Sequence, residues 1–79
     1  MSVLISVTPE GEGWSVRSDA LEGDLAFAQG GRAETAARNL AARHAAEGRP
    51  AEVRIFLRDG ALAGRYLHEP LQRKPMLVS

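Results

Sequence analysis

The stretch Arg32–Gly48, RAETAARNLAARHAAEG, decides the fold. Between Ala33 and Glu47 it holds no glycine, proline, valine or isoleucine, and it is dominated by alanine, leucine, arginine and glutamate, the strongest helix formers. Ala33, Ala36, Ala37, Leu40, Ala41 and Ala45 follow the i, i+3, i+4, i+7 spacing of one helical face, while Arg38, Asn39, Arg43 and Glu47 fall elsewhere. Gly48 stands where a left-handed C′ residue belongs, and Pro50 blocks continuation. A stripe built mostly of methyl groups lets the helix axis approach its partner closely. The expected partner is a sheet.

Strand patterns lie on both sides of this helix. Upstream, Val3, Ile5 and Val7 alternate with Ser2, Ser6 and Thr8, with Leu4 as the exception on the second face. Pro9, Gly11 and Gly13, around Glu10 and Glu12, make a polar turn, after which Trp14 and Val16 alternate with Ser15 and Arg17. An antiparallel hairpin follows from this. Leu25–Ala28 fits either a third short strand or a loop on the core, and the strand is adopted here. Gly30 and Gly31 end that segment, and the helix is expected from about Arg32.

Downstream, Val53, Ile55 and Leu57 alternate with Arg54, Phe56 and Arg58, and Asp59-Gly60 reads as a two-residue hairpin turn. With Arg58 and Ala61 flanking that turn, Leu57 pairs with Leu62, Phe56 with Ala63, Ile55 with Gly64, Arg54 with Arg65 and Val53 with Tyr66. Gly64 opposite Ile55 leaves room for the helix or the Trp14 ring. The predicted order is β-β-(β)-α-β-β: an α+β, two-layer domain over residues 1–69, with a single antiparallel sheet and one helix packed on one face. Residues 70–79, with two prolines and the apolar end Met76-Leu77-Val78, form a C-terminal tail.

Composition narrows the function. The chain has 79 residues, ten Lys+Arg against ten Asp+Glu, and no cysteine. A domain of ~60 residues buries only about 60% of its unfolded surface, and no disulfide or Cys-based metal site supplements the core here. Self-association is one remaining source of stability. A formal net charge of zero argues against a protein built mainly to neutralise phosphates. Met1–Val7 has neither a basic n-region nor the apolar run of a secretory signal, and no stretch approaches the ~20 apolar residues of a membrane span, so a cytoplasmic location and no membrane partner are expected.

Gly13-Trp14-Ser15-Val16 after a first strand, Ala33-Glu34 opening an alanine-rich helix, Val53-Arg54-Ile55, and then Arg58-Asp59-Gly60 before a closing strand together make a pattern. In order and spacing it resembles the small bacterial proteins of domain-of-unknown-function family 2188. The resemblance covers roughly Val3 to Pro70. The chain departs from it in a longer stretch between Val16 and the helix, and in Arg65–Pro70 where the family tends to carry a Gly- and Asp-containing ending. The resemblance implies a sheet-plus-helix fold and no established catalytic residues.

No catalytic constellation is proposed by the residues. His44 has no Cys and only Glu47, at i+3, at the helical spacing of a metal face, which is too few ligands for a site, and His68 and Glu69 are neighbours that point apart on a strand. No Walker or G-x-G-x-x-G pattern is present, so Gly30-Gly31 reads as the turn into the helix. Neither cofactor nor metal is expected, and the protein is read as a non-enzyme.

The candidate binding residues are Arg54, Phe56, Arg58 and Arg65, on the sheet face opposite the core. Arg54 opposite Arg65 is unfavourable unless an anion intervenes. A carboxylate from a second subunit fits that need, since Glu10, Glu12, Glu22 and Asp24 gather in the amino-terminal half. Leu4, Phe56 and Leu67 fall on the same face, for which there is no second helix. The expected function is therefore an interaction module that self-associates through its open sheet face or its tail, with itself or another protein as partner. The alternative is a nucleic-acid-binding module that stacks and neutralises a single strand with the Arg/Phe face. A mobile-element inhibitor of a host complex is a third, weaker alternative.

Overall fold

Alternation of apolar and polar residues produces β1 (Val3–Glu10), and Gly11, with φ 59°, turns the chain into β2 (Gly13–Ser18). The computed structural model describes residues 2–70, so the apolar end Met76-Leu77-Val78 lies outside the described residues. Leu25–Ala28 does contain a strand, β3 (Leu25–Phe27), paired antiparallel with β2. After α1 (Gly30–Ala46) come β4 (Ala51–Phe56) and β5 (Leu62–His68). The result is an α+β fold with one helix and a five-stranded sheet in the order β3-β2-β1-β4-β5.

The expectation of a purely antiparallel sheet is corrected: β1 and β4 run parallel, with Val3 beside Ala51, Ile5 beside Val53 and Val7 beside Ile55. The direction follows from counting reversals. Two hairpin reversals make β3 parallel to β1, and the single helix then returns the chain to the end where β3 began. β4 therefore leaves in the direction of β3, and hence of β1. It lies on the free edge of β1, whose other edge β2 occupies.

Helix α1 covers one face with its methyl stripe. Ala33, Ala37 and Ala41 are fully buried against Ile5, Val7, Val16 and Val53, and Trp14, Phe27, Leu40, Ile55 and Tyr66 pack around them. The helix starts at Gly30 rather than Arg32, and the Trp14 ring explains why a glycine stands there: a Cβ on Gly30 would lie 2.8 Å from Trp14 Cε2. Trp14 thus packs on Gly30 and not on Gly64, whose nearest neighbour for a Cβ is Ile55 Cδ1 at 3.9 Å. At the other end Gly48 adopts φ 89°. The Arg49 N–H donates to the His44 carbonyl at 2.9 Å and the Gly48 N–H to that of Ala45 at 3.0 Å, the paired bonds of a Schellman motif.

The β4–β5 hairpin differs from the two-residue turn expected for Asp59-Gly60. The Gly60 N–H donates to the Leu57 carbonyl and the Leu57 N–H to that of Ala61, so the loop closes on Leu57 and Ala61. Gly60 has φ 89°, while Asp59, like every described non-glycine residue, keeps a negative φ, which excludes the I′ turn. Asp59 Oδ1 instead accepts the Ala61 N–H at 2.9 Å. The longer loop pairs Phe56 with Leu62 rather than with Ala63. A bulge between Ile55 and Phe56 then absorbs Ala63 and restores the expected pairs Ile55 with Gly64, Arg54 with Arg65 and Val53 with Tyr66.

Candidate interaction surface

Because Ile5, Val16, Val53 and Tyr66 face the helix, strict alternation turns their neighbours to the uncovered side. The registers align those neighbours in rows. One row reads Arg17, Ser6, Arg54, Arg65 across β2, β1, β4 and β5, and the next reads Leu4, Glu52, Leu67. Phe56 and Leu62 pair further along. Leu4, Leu62 and Leu67 are exposed, Leu67 to 59%, and Phe56 is half-buried.

Of the four candidate residues, the fold places Arg54, Phe56 and Arg65 on strands of this face and Arg58 just past the end of β4, where it lines a cavity with Thr8 and Phe56. Arg58 sits in the hairpin loop, where its Nη1 donates to the Gly11 carbonyl at 2.8 Å and ties that loop to the β1–β2 turn. Arg17 belongs to the face, which its alternation with Trp14 and Val16 already implied. It pairs with Asp24 at 2.9 Å and Glu10 at 3.6 Å.

The anion between Arg54 and Arg65 comes from the same chain. Glu52 Oε2 accepts Arg54 Nε at 2.5 Å and lies 3.1 Å from Arg65 Nε. Glu52 is two residues before Arg54, so the period of two places both on one face. The side chain is only 14% exposed. The Arg54 hydrogen bond is the main cause that lowers the Glu52 pKa from the ordinary 4.5; burial opposes it, and the charges of Arg54 and Arg65 add to the lowering.

A pH dependence follows. A carboxyl whose folded pKa is depressed contributes stability above its unfolded value, and that contribution disappears as pH falls through the folded pKa. Glu52→Gln is therefore expected to lower the urea midpoint at pH 7, and the difference from the unsubstituted protein is expected to vanish on acidification past the depressed pKa. Urea titrations at pH 7 and at successively lower pH check this; a difference independent of pH would remove the ionised carboxylate from the account.

His44 lies away from this face. His44 is half-buried near the end of α1, with Nδ1 3.1 Å from Arg49 Nε. On the helix side of β5, Arg38 lies 4.5 Å over the Tyr66 ring. Ser15, on the uncovered face between Thr8 and Ala26, is buried and its hydroxyl makes no hydrogen bond. Among the described residues there is no group of three or more His, Cys, Asp or Glu placed to hold a metal ion, and no helix is long and apolar enough to cross a membrane.

No family model matches the chain, and no curated protein or solved structure matches it either.

Proposed function

We propose that this protein is a non-enzymatic interaction module that self-associates through its uncovered sheet side, rim included. The supporting observation is the composition of that side. Exposed leucines and Phe56 share it with three arginines, Arg17, Arg54 and Arg65, each within 4 Å of a carboxylate of the same chain. An apolar surface with both signs of charge interspersed suits a second copy carrying the same mixture. A nucleic-acid strand suits it less, because Glu52 already occupies the position between Arg54 and Arg65 where a phosphate would sit.

Sedimentation velocity at tens of micromolar tests the reading, and a mass above that of the monomer is expected. A strict monomer at that concentration overturns it. Titration with mixed single-stranded DNA and RNA at low salt decides against the nucleic-acid reading if no salt-sensitive binding occurs. Binding that is salt-sensitive and lost in Arg54→Ala with Arg65→Ala would put nucleic acid in place of the second copy.

A further inference from the structure

The two edges of the sheet are unequal. β3 offers three residues, whereas β5 offers seven without a proline or lysine to discourage pairing. Two hydrogen bonds reveal which residues of β5 turn their backbone outward. Val3 N–H donates to the Pro50 carbonyl, so the even-numbered residues of β4 address β1. Leu57 N–H donates to the Ala61 carbonyl, so the odd-numbered ones address β5. Their partners Gly64, Tyr66 and His68 therefore point inward, which leaves the N–H and C=O groups of Arg65, Leu67 and, by continuation, Glu69 directed away from the sheet.

We infer that two copies of this chain pair antiparallel along β5 about a two-fold axis at Leu67, so that Arg65 of each copy opposes the partner's Glu69. This rests on the self-association reading and specifies its geometry. Charge selects the register. An axis at Arg65 sets the two guanidiniums directly opposite, which is destabilising. An axis at Tyr66 sets Arg65 against the partner's Leu67 and Glu69 against the partner's bulged Ala63. An axis at Leu67 pairs leucine with leucine and arginine with glutamate on both sides, and places Arg65, Leu67 and Glu69 at positions that exchange both backbone bonds.

The boundaries of the segment agree with this axis. The bulge at Ala63 lies beyond one end of the paired stretch, and Pro70, at an even position whose backbone turns toward β4, removes no outward donor at the other. The charges agree as well. Within one chain the single carboxylate of Glu52 serves both Arg54 and Arg65, which leaves one positive charge over. The partner's Glu69 supplies the second carboxylate. Arg65 is 53% exposed and available to it, and Glu69 has no ion pair among the described residues.

The test uses charge reversal in the full chain. Glu69→Arg alone sets arginine against arginine at both ends of the contact, and Arg65→Glu alone sets glutamate against glutamate. Each is expected to sediment as a monomer, with association weakened about 10-fold or more. Mixed in equal amounts they are expected to form a heterodimer, because each then opposes its complement, and the double variant Arg65→Glu/Glu69→Arg is expected to regain the homodimer. Circular dichroism confirms that each variant is folded. Arg65→Glu places an acid beside Glu52, so Leu67→Pro is a second check: it deletes an outward N–H that the chain's own ladder does not use, and it too is expected to give a folded monomer.

Single variants that associate like the unsubstituted protein overturn the β5 contact while leaving self-association standing, as does a mixture of folded single variants that stays monomeric. An unsubstituted protein that is itself a monomer overturns both.

Discussion

Ile5→Ala is expected to cost about 3–4 kcal/mol, near the upper part of the ~2–5 kcal/mol range for deleting a buried isoleucine side chain down to its Cβ. Ile5 is wholly buried on the central strand, beside Val53, beneath α1. The cost depends on how far the surroundings can collapse into the space, and here collapse is limited. The helix meets the sheet through Ala33, Ala37 and Ala41, whose methyl groups have no rotamers with which to fill a void. Folded domains carry roughly 0.05–0.15 kcal/mol of stability per residue, which for a chain of this length is about 4–12 kcal/mol. The loss is therefore a large part of the total. Urea unfolding followed by circular dichroism should show a strongly reduced midpoint with an unchanged slope. A loss below about 1 kcal/mol would mean that the alanine stripe does not bear on this core as described.

The second large effect is expected at Gly13. A Cβ there would lie 2.5 Å from the carbonyl oxygen of Phe27, a backbone atom that cannot rotate away. Replacing glycine by alanine ordinarily stabilises by about 0.4–1 kcal/mol through the unfolded chain, while a forced backbone shift costs about 1–3 kcal/mol or more. The clash should win. What gives way is β3, which is held to β2 by only three residue pairs. Gly13→Ala is thus expected to lower stability by about 2 kcal/mol and to remove amide-exchange protection from residues 25–27 while β1 and β4 keep theirs. Gly31→Ala provides the control: nothing lies within 4 Å of its Cβ and it sits inside α1, so that variant should gain stability. Equal effects from the two substitutions would contradict this account.

Much of the fold was legible because local signals agree with tertiary ones. The alternation in Val3–Val7 and Val53–Ile55 marks the faces correctly, and Gly48 closes the helix as its position suggests. The register of Arg54 against Arg65 is the expected one because two departures cancel: the loop is longer by one residue than a two-residue turn, and the bulge at Ala63 takes that residue back. No local pattern distinguishes an Asp-Gly in a two-residue turn from the same pair ending a longer one, because both use glycine at positive φ. The parallel pairing of β1 with β4 has no local signal, because it depends on counting chain reversals.

At the candidate surface, the arginines and Phe56 were readable from alternation alone, but the placement of Arg58 depended on where the strand stopped. Glu52 carries the signal of i, i+2 spacing to Arg54, whereas Glu10, Glu12, Glu22 and Asp24 are remote from it in sequence. Ion pairing across a sheet depends on register, and only the register brings Arg65 to the same carboxylate as Arg54.

The parallel contact between β1 and β4 also constrains the order in which the chain can fold. The hairpin β1–β2 is local and can form on the microsecond scale. Its apolar side finds no cover until α1 exists, and β1 has one bare flank until β4 arrives, with Val3 waiting for Ala51. On a ribosome, the first strand emerges long before the residues that enclose it. Closing so long a loop is entropically costly before any contact rewards it, so sheet completion is expected to be slower than helix formation. β1 is thus made well before β4, the strand that covers its second flank.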